Sequence, residues 1–362
     1  MTDLEIPVTV LMPVYNVQPY LEKAVESILR QTFGDFEFLI IDDGSTDKSP
    51  EILQSYPDPR IRVIHQENQG VAAALRLGVS LSRGQYIARM DADDESLPDR
   101  LEIQKKILDQ NPEAVLGYGL HDLMDEKGDI IRNRQGEGFS TSITKWLLIW
   151  MNVFTHPTIM IRTRALRENQ INYRLETNGA EDFDLWNRLS FYGDFLFVPE
   201  VLLKYRIHAD SVNRLNLGER QFRSYSLVVR ENFRRYGLTI SDEMAEELVV
   251  ISGQTSKNPL TFPYRYLPNK LSVFSEEIAR KFSSTKSIDT KKLFEVRAGQ
   301  LLRWARCLLQ SSRKGSFILL MKAVQLRKSF VVNRLFLLTF LSLFLPERTL
   351  VRINEKRTRP LI

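Results

Sequence analysis

Three carboxylates fall within four residues, Asp91, Asp93 and Asp94, directly after the apolar run Tyr86-Ile87-Ala88, which reads as a buried strand. Carboxylates crowded at a strand end repel one another and resist burial. The cluster makes sense when a hard divalent cation is shared between them and an anionic ligand. A second acidic pair, Asp42-Asp43, follows the apolar stretch from Phe36 to Ile41 and runs on as Gly44-Ser45-Thr46-Asp47. Two acidic strand ends in one sheet imply one pocket, because open α/β sheets bind ligands in the crevice outside the carboxyl ends of their strands.

The elements that must position these groups are legible as period. From residue 6 to about 120, short apolar runs alternate with helical patterns. The runs are Ile6 to Val14, Phe36 to Ile41, Arg60 to His65 and Tyr86 to Met90. The helices are one with Leu21, Ala24, Val25, Ile28 and Leu29 inward, one from about Gln69 to Ser82, and one from Pro98 to Asp109, ended by Asn111-Pro112. The alternation predicts a mostly parallel, doubly wound α/β sheet. From about 113 to 206 the pattern turns to irregular strands, Ala114 to Gly119, Thr158 to Arg162 and Val201 to Tyr205. An apolar helix lies near Ile143 to Val153 and an amphipathic one runs from Glu181 to Tyr192. This half is expected to cap the first and hold another substrate. Residues 215 to about 295 read as a helical accessory segment without a chemical signal.

An Asp-x-Asp alone is weak, since a chain of this size contains about one by chance at ordinary acidic usage. Its company is more informative. In order come Pro13-Val14-Tyr15-Asn16, Asp42-Asp43-Gly44-Ser45-Thr46-Asp47, Asn68-Gln69-Gly70, Asp91-Ala92-Asp93-Asp94 and Gly179-Ala180-Glu181-Asp182-Phe183-Asp184-Leu185-Trp186. Together these five motifs, over roughly residues 6 to 214, resemble the family 2 glycosyltransferases, inverting enzymes with the nucleotide-sugar-binding GT-A fold. The resemblance implies a nucleotide-sugar donor, most simply a UDP-sugar, and a glycan or lipid-linked acceptor. It places Pro13, Tyr15, Asn16 and one or both of Asp42 and Asp43 around the nucleoside, where a carboxylate can accept the imide N–H of uracil, and makes Asn68 and Gly70 substrate-binding; a turn cap with Ser45 and Thr46 is the structural alternative for Asp42. Asp91 falls near the ribose or the metal, and Asp93 ligates a divalent cation, Mn2+ or Mg2+, that bridges the phosphates. Asp182 is implied as general base with Glu181 as runner-up, although both also suit the start of a helix as dipole-favoured caps. Asp184 reads as a surface residue of that first turn. His208 is matched to a metal or diphosphate position, and His156 to the acceptor side or to a structural role. Arg206 would pair with a phosphate or form an ordinary salt bridge. Leu75-Arg76 departs from the Arg-Asn or Leu-Asn pair common in relatives, which weakens inference about the sugar but not about the metal site.

Composition sets the wider frame. The chain of 362 residues has one cysteine, Cys307, which excludes an internal disulfide framework and fits a reducing compartment. The acidic start Met1-Thr2-Asp3-Leu4-Glu5 lacks the basic and apolar regions of a secretion signal. A cytoplasmic protein, peripheral on the inner face of the plasma membrane, is the expectation. The net charge of +5 hides an asymmetry: residues 297–362 carry 14 Lys/Arg against 2 Asp/Glu, which leaves −7 for residues 1–296. Basic residues interleaved with Phe and Leu suit an anionic membrane surface, and no compact basic motif points to nucleic acid. The densest apolar run, Leu335 to Leu345, reaches only about 16 Å as a helix against a hydrocarbon core of about 30 Å, so it would lie in the interface or pack on its own domain. The expected organisation is a GT-A domain over 1–214, a helical accessory segment over 215–296 and a basic amphipathic tail over 297–362.

Three other functions compete less well. A signalling receiver would use an acidic strand end but leaves Asp93 and Asp182 without a role. A non-catalytic nucleotide-sugar-binding protein of the same fold should have lost a metal or base carboxylate, and both are present. A nucleotidyltransferase would need a Gly-rich basic loop where Leu11-Met12-Pro13-Val14-Tyr15-Asn16 stands.

Overall fold

A computed structural model of the chain describes residues 6–133, 138–208, 218–253, 259, 264–267, 270–283, 290–309, 311–327 and 334–343. They divide into two compact units, Met1–Thr144 with Val153–Leu217, and Lys145–Asn152 with Gly218–Ile362.

Among the described residues the first unit is built on nine strands, β1 (Ile6–Val14), β2 (Phe36–Asp42), β3 (Ile61–His65), β4 (Gly84–Arg89), β5 (Glu95–Ser96), β6 (Ala114–Met124), β7 (Ile130–Arg132), β8 (Met160–Arg162) and β9 (Asp194–Arg206). They form one sheet in the order β3-β2-β1-β4-β8-β6-β9-β5, with β7 paired to β6. The β1, β2, β3 and β4 pairings are parallel, as the alternating pattern predicts for strands joined by helices. The far half is mixed: β8 runs antiparallel to both β4 and β6, whereas β6 and β9 are parallel. The chain leaves β1 towards β2 and β3 and returns to β4 on the other side. The topological switch point therefore lies between β1 and β4, above the two acidic motifs.

Helices α1 (Gln18–Leu29), α2 (Ser49–Gln54), α3 (Val71–Leu81), α4 (Arg100–Gln110), α5 (Thr141–Leu148), α6 (Thr163–Glu168) and α7 (Glu181–Leu189) complete this part of the chain. The inward stripe of α1, Leu21, Ala24, Val25 and Ile28, is wholly buried in a core with Val8, Val10 and Met12 of β1 and Phe36, Phe38 and Ile40 of β2. Burial of such side chains contributes about 1.5–3 kcal/mol each and fixes where the strand ends point. Several expected boundaries moved: the strand from Ala114 runs on to Met124, the helix near Ile143 is Thr141–Leu148, and the helix from Glu181 ends at Leu189. The strand expected from Thr158 begins at Met160, because His156–Thr158 forms a 3-10 turn around Pro157. The strand expected from Val201 is the last part of β9, which starts at Asp194.

The second unit is helical: α8 (Gly218–Arg235), α9 (Asp242–Ile251), α10 (Leu271–Ser283), α11 (Thr290–Cys307), α12 (Arg313–Leu326) and α13 (Arg334–Ser342). Trp150 packs edge-on against Phe233 and Trp304, with ring centroids at 5.3 and 5.0 Å, and Trp146 Nε1 donates to Gln300 Oε1 at 3.1 Å. Cys307 is buried and burial pushes its thiol up to about 12, which makes it an inert packing group. The boundary expected at 214/215 and the tail beyond Leu343 lie outside the described residues. No helix among the described residues is long and apolar enough to cross a membrane.

Candidate active site

The residues that follow β1 and β2 are tied together by side chains, beside a backbone bond from Asp43 N to Val14 O at 2.9 Å. Asn16 sits at φ 49°, a left-handed conformation that Asn tolerates because its short amide bonds locally. Its Oδ1 accepts from Thr46 N at 2.8 Å and Asp47 N at 3.3 Å, and its own N–H donates to Ser45 Oγ at 3.1 Å. Tyr15 beside it is half exposed and Pro13 is partly buried. Asp42 and Asp43 are both buried and do different things. Asp42 Oδ1 accepts from Ser45 N at 3.1 Å, the turn cap, and Oδ2 lies 2.8 Å from Nδ1 of His65 at the end of β3. Asp43 accepts from Gln66 Nε2 (2.6 Å), Gln69 N (3.0 Å) and Gly70 N (2.8 Å), so its carboxylate fastens the loop that carries the exposed Asn68. Gly70, at φ +88°, is where that loop meets the segment before α7: a Cβ there would fall 2.9 Å from Asn178 Nδ2.

The acidic centre lies where β4 ends. One carboxylate oxygen from each of Asp91, Asp93 and Asp94 lies within 4.8 Å of the others. Asp91 and Asp93 keep about a quarter of their side-chain surface open, while Asp94 is 1% exposed. Asp94 Oδ1 accepts from Arg206 N at 2.8 Å, and its buried Oδ2 has no hydrogen-bond partner among the described residues. His208 Nε2 stands 2.9 Å from Asp93 Oδ2, its ring against Tyr20. Burial, then the charges of Asp93 and Asp91, push Asp94 well above the usual carboxylate range; burial also raises Asp91, against the pull of Arg89. Arg89, the last residue of β4, is buried and ion-paired with Asp91. Burial opposes its charge, but Asp91 and Asp94 outweigh burial and hold the guanidinium protonated.

The other wall is α7. Glu181 is buried and accepts from Gly179 N at 2.6 Å; burial, then the Asp182 charge, push its pKa up to about 7. Asp182 is more open, and its Oδ1 accepts from Phe183 N at 2.6 Å. The Asp182 charge is the least of those that act on Asp91, after burial, Arg89 and Asp93. His156 shares a 2.8 Å hydrogen bond with Tyr173 Oη and packs edge-on to Trp186. Burial, with Arg89 adding to it, drives the imidazole well below its usual pKa and keeps it neutral.

One sequence expectation is corrected, and of the two roles open to Arg206 the structure shows the salt bridge, buried and not at the surface: Nη2 stands on Glu95 Oε1 (2.9 Å), Nε on Asp93 O (2.7 Å) and Nη1 on Asp125 O and Glu126 O. Its donors tie the acidic loop at Asp93 and Glu95 to the turn at Asp125 and Glu126. Asp184 is not a surface residue: it is wholly buried between Arg174 and Arg188, at 2.6 and 2.7 Å. Sequence reasoning also passed over Arg89, His65, Tyr173 and Asn178. A charge closing the buried run Tyr86-Ile87-Ala88 was the one available signal, and it marked Arg89.

A family model described as glycosyl transferase family 2 matches residues 9–169. The O-antigen biosynthesis glycosyltransferase WbnJ of Escherichia coli is 34% identical over 240 residues, which cover 64% of this chain and 91% of that protein. Among solved structures, S. aureus TarS 1-349 in complex with UDP-GlcNAc aligns at a TM-score of 0.55 with 14% identity, over 90% of this chain and 91% of that one. The mannosyltransferase PcManGT from Pyrobaculum calidifontis, in complex with GDP-Man and Mn2+, aligns at 0.51 with 16% identity, over 89% and 88%. At such identities the likeness is one of fold, the GT-A fold.

Proposed function

Because the chain belongs to glycosyl transferase family 2 and is a glycosyltransferase, we propose that it moves a sugar from a nucleotide-diphosphate donor, a UDP-sugar first, to a hydroxyl of a glycan or lipid-linked acceptor by one inverting displacement. The observation that carries this reading is the meeting, beside the switch point, of a three-carboxylate cluster with a second acidic pair on another element. One set suits a cation and a diphosphate, the other a proton. Tyr15 and Asn16, with Asp42 and His65, border the crevice on the nucleoside side.

The donor set fits a divalent metal: Asp91, Asp93 and Asp94 offer converging oxygens, His208 adds a nitrogen beside Asp93, and Asp94 Oδ2 is a buried acceptor still lacking a donor. A Mn2+ or Mg2+ ion held there supplies positive charge to the departing diphosphate. The protein's own residues do the rest. Asp182, the more accessible of the acidic pair, takes the proton from the acceptor hydroxyl as its oxygen attacks the anomeric carbon opposite the leaving group, and a nucleoside diphosphate departs. Glu181 is the reserve candidate, and His156 with Tyr173 lines the acceptor side. The O-antigen name of WbnJ supports a role in polysaccharide assembly. The basic tail supports a place on the inner face of the plasma membrane.

The test is thermal stabilisation by UDP, with and without Mn2+, in wild type and Asp93→Ala. Metal-dependent stabilisation is expected in the wild type alone. Equal shifts in both proteins would remove the metal site from Asp93.

A further inference from the structure

Buried arginines surround the acidic centre, and two of them are fully occupied elsewhere. Arg206 serves Glu95 and three carbonyls. Arg100 donates to Arg89 O and Ile159 O and to Gln104 Oε1. Arg89 differs. It is 5% exposed, its Nη1 pairs with Asp91 Oδ2, and its Nε has no hydrogen-bond partner among the described residues. Its charge acts on Asp91, Asp94, Glu181, Tyr173 and His156, across both walls of the site. A guanidinium cannot shed its charge, so this cation is permanent, and a carboxylate it occupies is a poorer ligand for a second cation.

We propose that Arg89 is a built-in counter-cation: it satisfies Asp91 in the nucleotide-free protein and thereby makes metal capture by Asp91, Asp93 and Asp94 conditional on the donor's diphosphate. The inference rests on the metal-site reading above and adds an order of events to it. Without a nucleotide, an arriving divalent ion meets three carboxylates already partly neutralised and repelled by a fixed positive charge. The diphosphate brings negative charge and further ligand oxygens, and the balance tips. Arg89 is thus a positioning residue that acts through Asp91. By linkage, metal and nucleotide must then raise one another's affinity equally.

The experiment is a Mn2+ titration followed by the loss of the free-ion paramagnetic resonance signal, without and with saturating UDP, on wild type, Arg89→Met and Arg89→Lys. Wild type should bind Mn2+ at least about tenfold more tightly with UDP than without it. Arg89→Met should bind Mn2+ alone about tenfold or more tighter than wild type does. Arg89→Lys, which keeps the charge, should stay weak. A merely structural role cannot produce this pattern, because a disordered site loses affinity. Unchanged or weaker nucleotide-free binding by Arg89→Met, with UDP-dependent binding intact in the wild type, would overturn the inference and leave the metal site standing. Should Arg89→Met fail to fold, equal wild-type affinities with and without UDP would overturn it equally. No Mn2+ uptake by wild type even with UDP would take down the metal-site reading and this inference with it.

Discussion

Glu181→Gln changes a single group in a carboxyl that burial and a neighbouring charge hold at about 7, against an ordinary 4.5. The sign follows from linkage. A group whose folded pKa is raised contributes stability that is complete below the unfolded value and is lost as pH rises through the folded one. Between pH 4.5 and 7 the folded protein keeps a proton that the unfolded chain has released, and stability falls by up to about 3 kcal/mol at about 1.4 kcal/mol per pH unit. Glutamine resembles the protonated acid and does not titrate, so the variant escapes this fall. Urea denaturation of both proteins at pH 5, 6, 7 and 8, in chelator and without nucleotide, reads the difference directly, since Asp91 and Asp94 titrate in both and cancel. The two proteins should be nearly equal in stability at pH 5, and the variant should be the more stable by a growing margin up to pH 7, constant above it. Parallel pH profiles would refute the reasoning and mean that Glu181 is ionised throughout, which would reopen its claim to be the base.

Asp182→Asn should keep metal-dependent UDP binding and lose turnover by about 10²–10⁴-fold in a donor-consumption assay; retained turnover would transfer the base role. Asp184→Ala removes the buried carboxylate shared by the part-exposed Arg174 and Arg188, and the urea midpoint should drop by the equivalent of about 1.5–3 kcal/mol. Removing residues 344–362 takes away five Lys/Arg; the shortened chain should sediment less with vesicles containing anionic lipid while its UDP binding is unchanged, and equal sedimentation would argue for packing on the protein instead.

What could be read from sequence was what repeats or what stands out. The period of apolar residues gave β1, α1, β2, β3, α3 and β4 to within a few residues, because each element buries one face or is buried on both. The acidic motifs stood out because carboxylates at the ends of apolar runs demand an explanation. The rest depended on who meets whom. Arg206 and Asp184 looked like surface charges because sequence gives a residue's type and neighbours but not its burial. Their partners, Glu95 at 111 positions distant and Arg174 at 10, become visible only in the fold. That the oxygens of Asp43 also hold the backbone of Gln69 and Gly70 was hidden for the same reason. The mixed pairing of β6, β8 and β9 likewise has no periodic signature.

The loop that Asp43 grips at Gly70 abuts Asn178, three residues ahead of Glu181. On the proposed reading, donor and acceptor chemistry share this contact. Engineering a different nucleotide by rewriting residues 42–45 will also retune the neighbourhood of Asp182, so new donor preference and new acceptor preference should surface together in a selected library, as one trait rather than two.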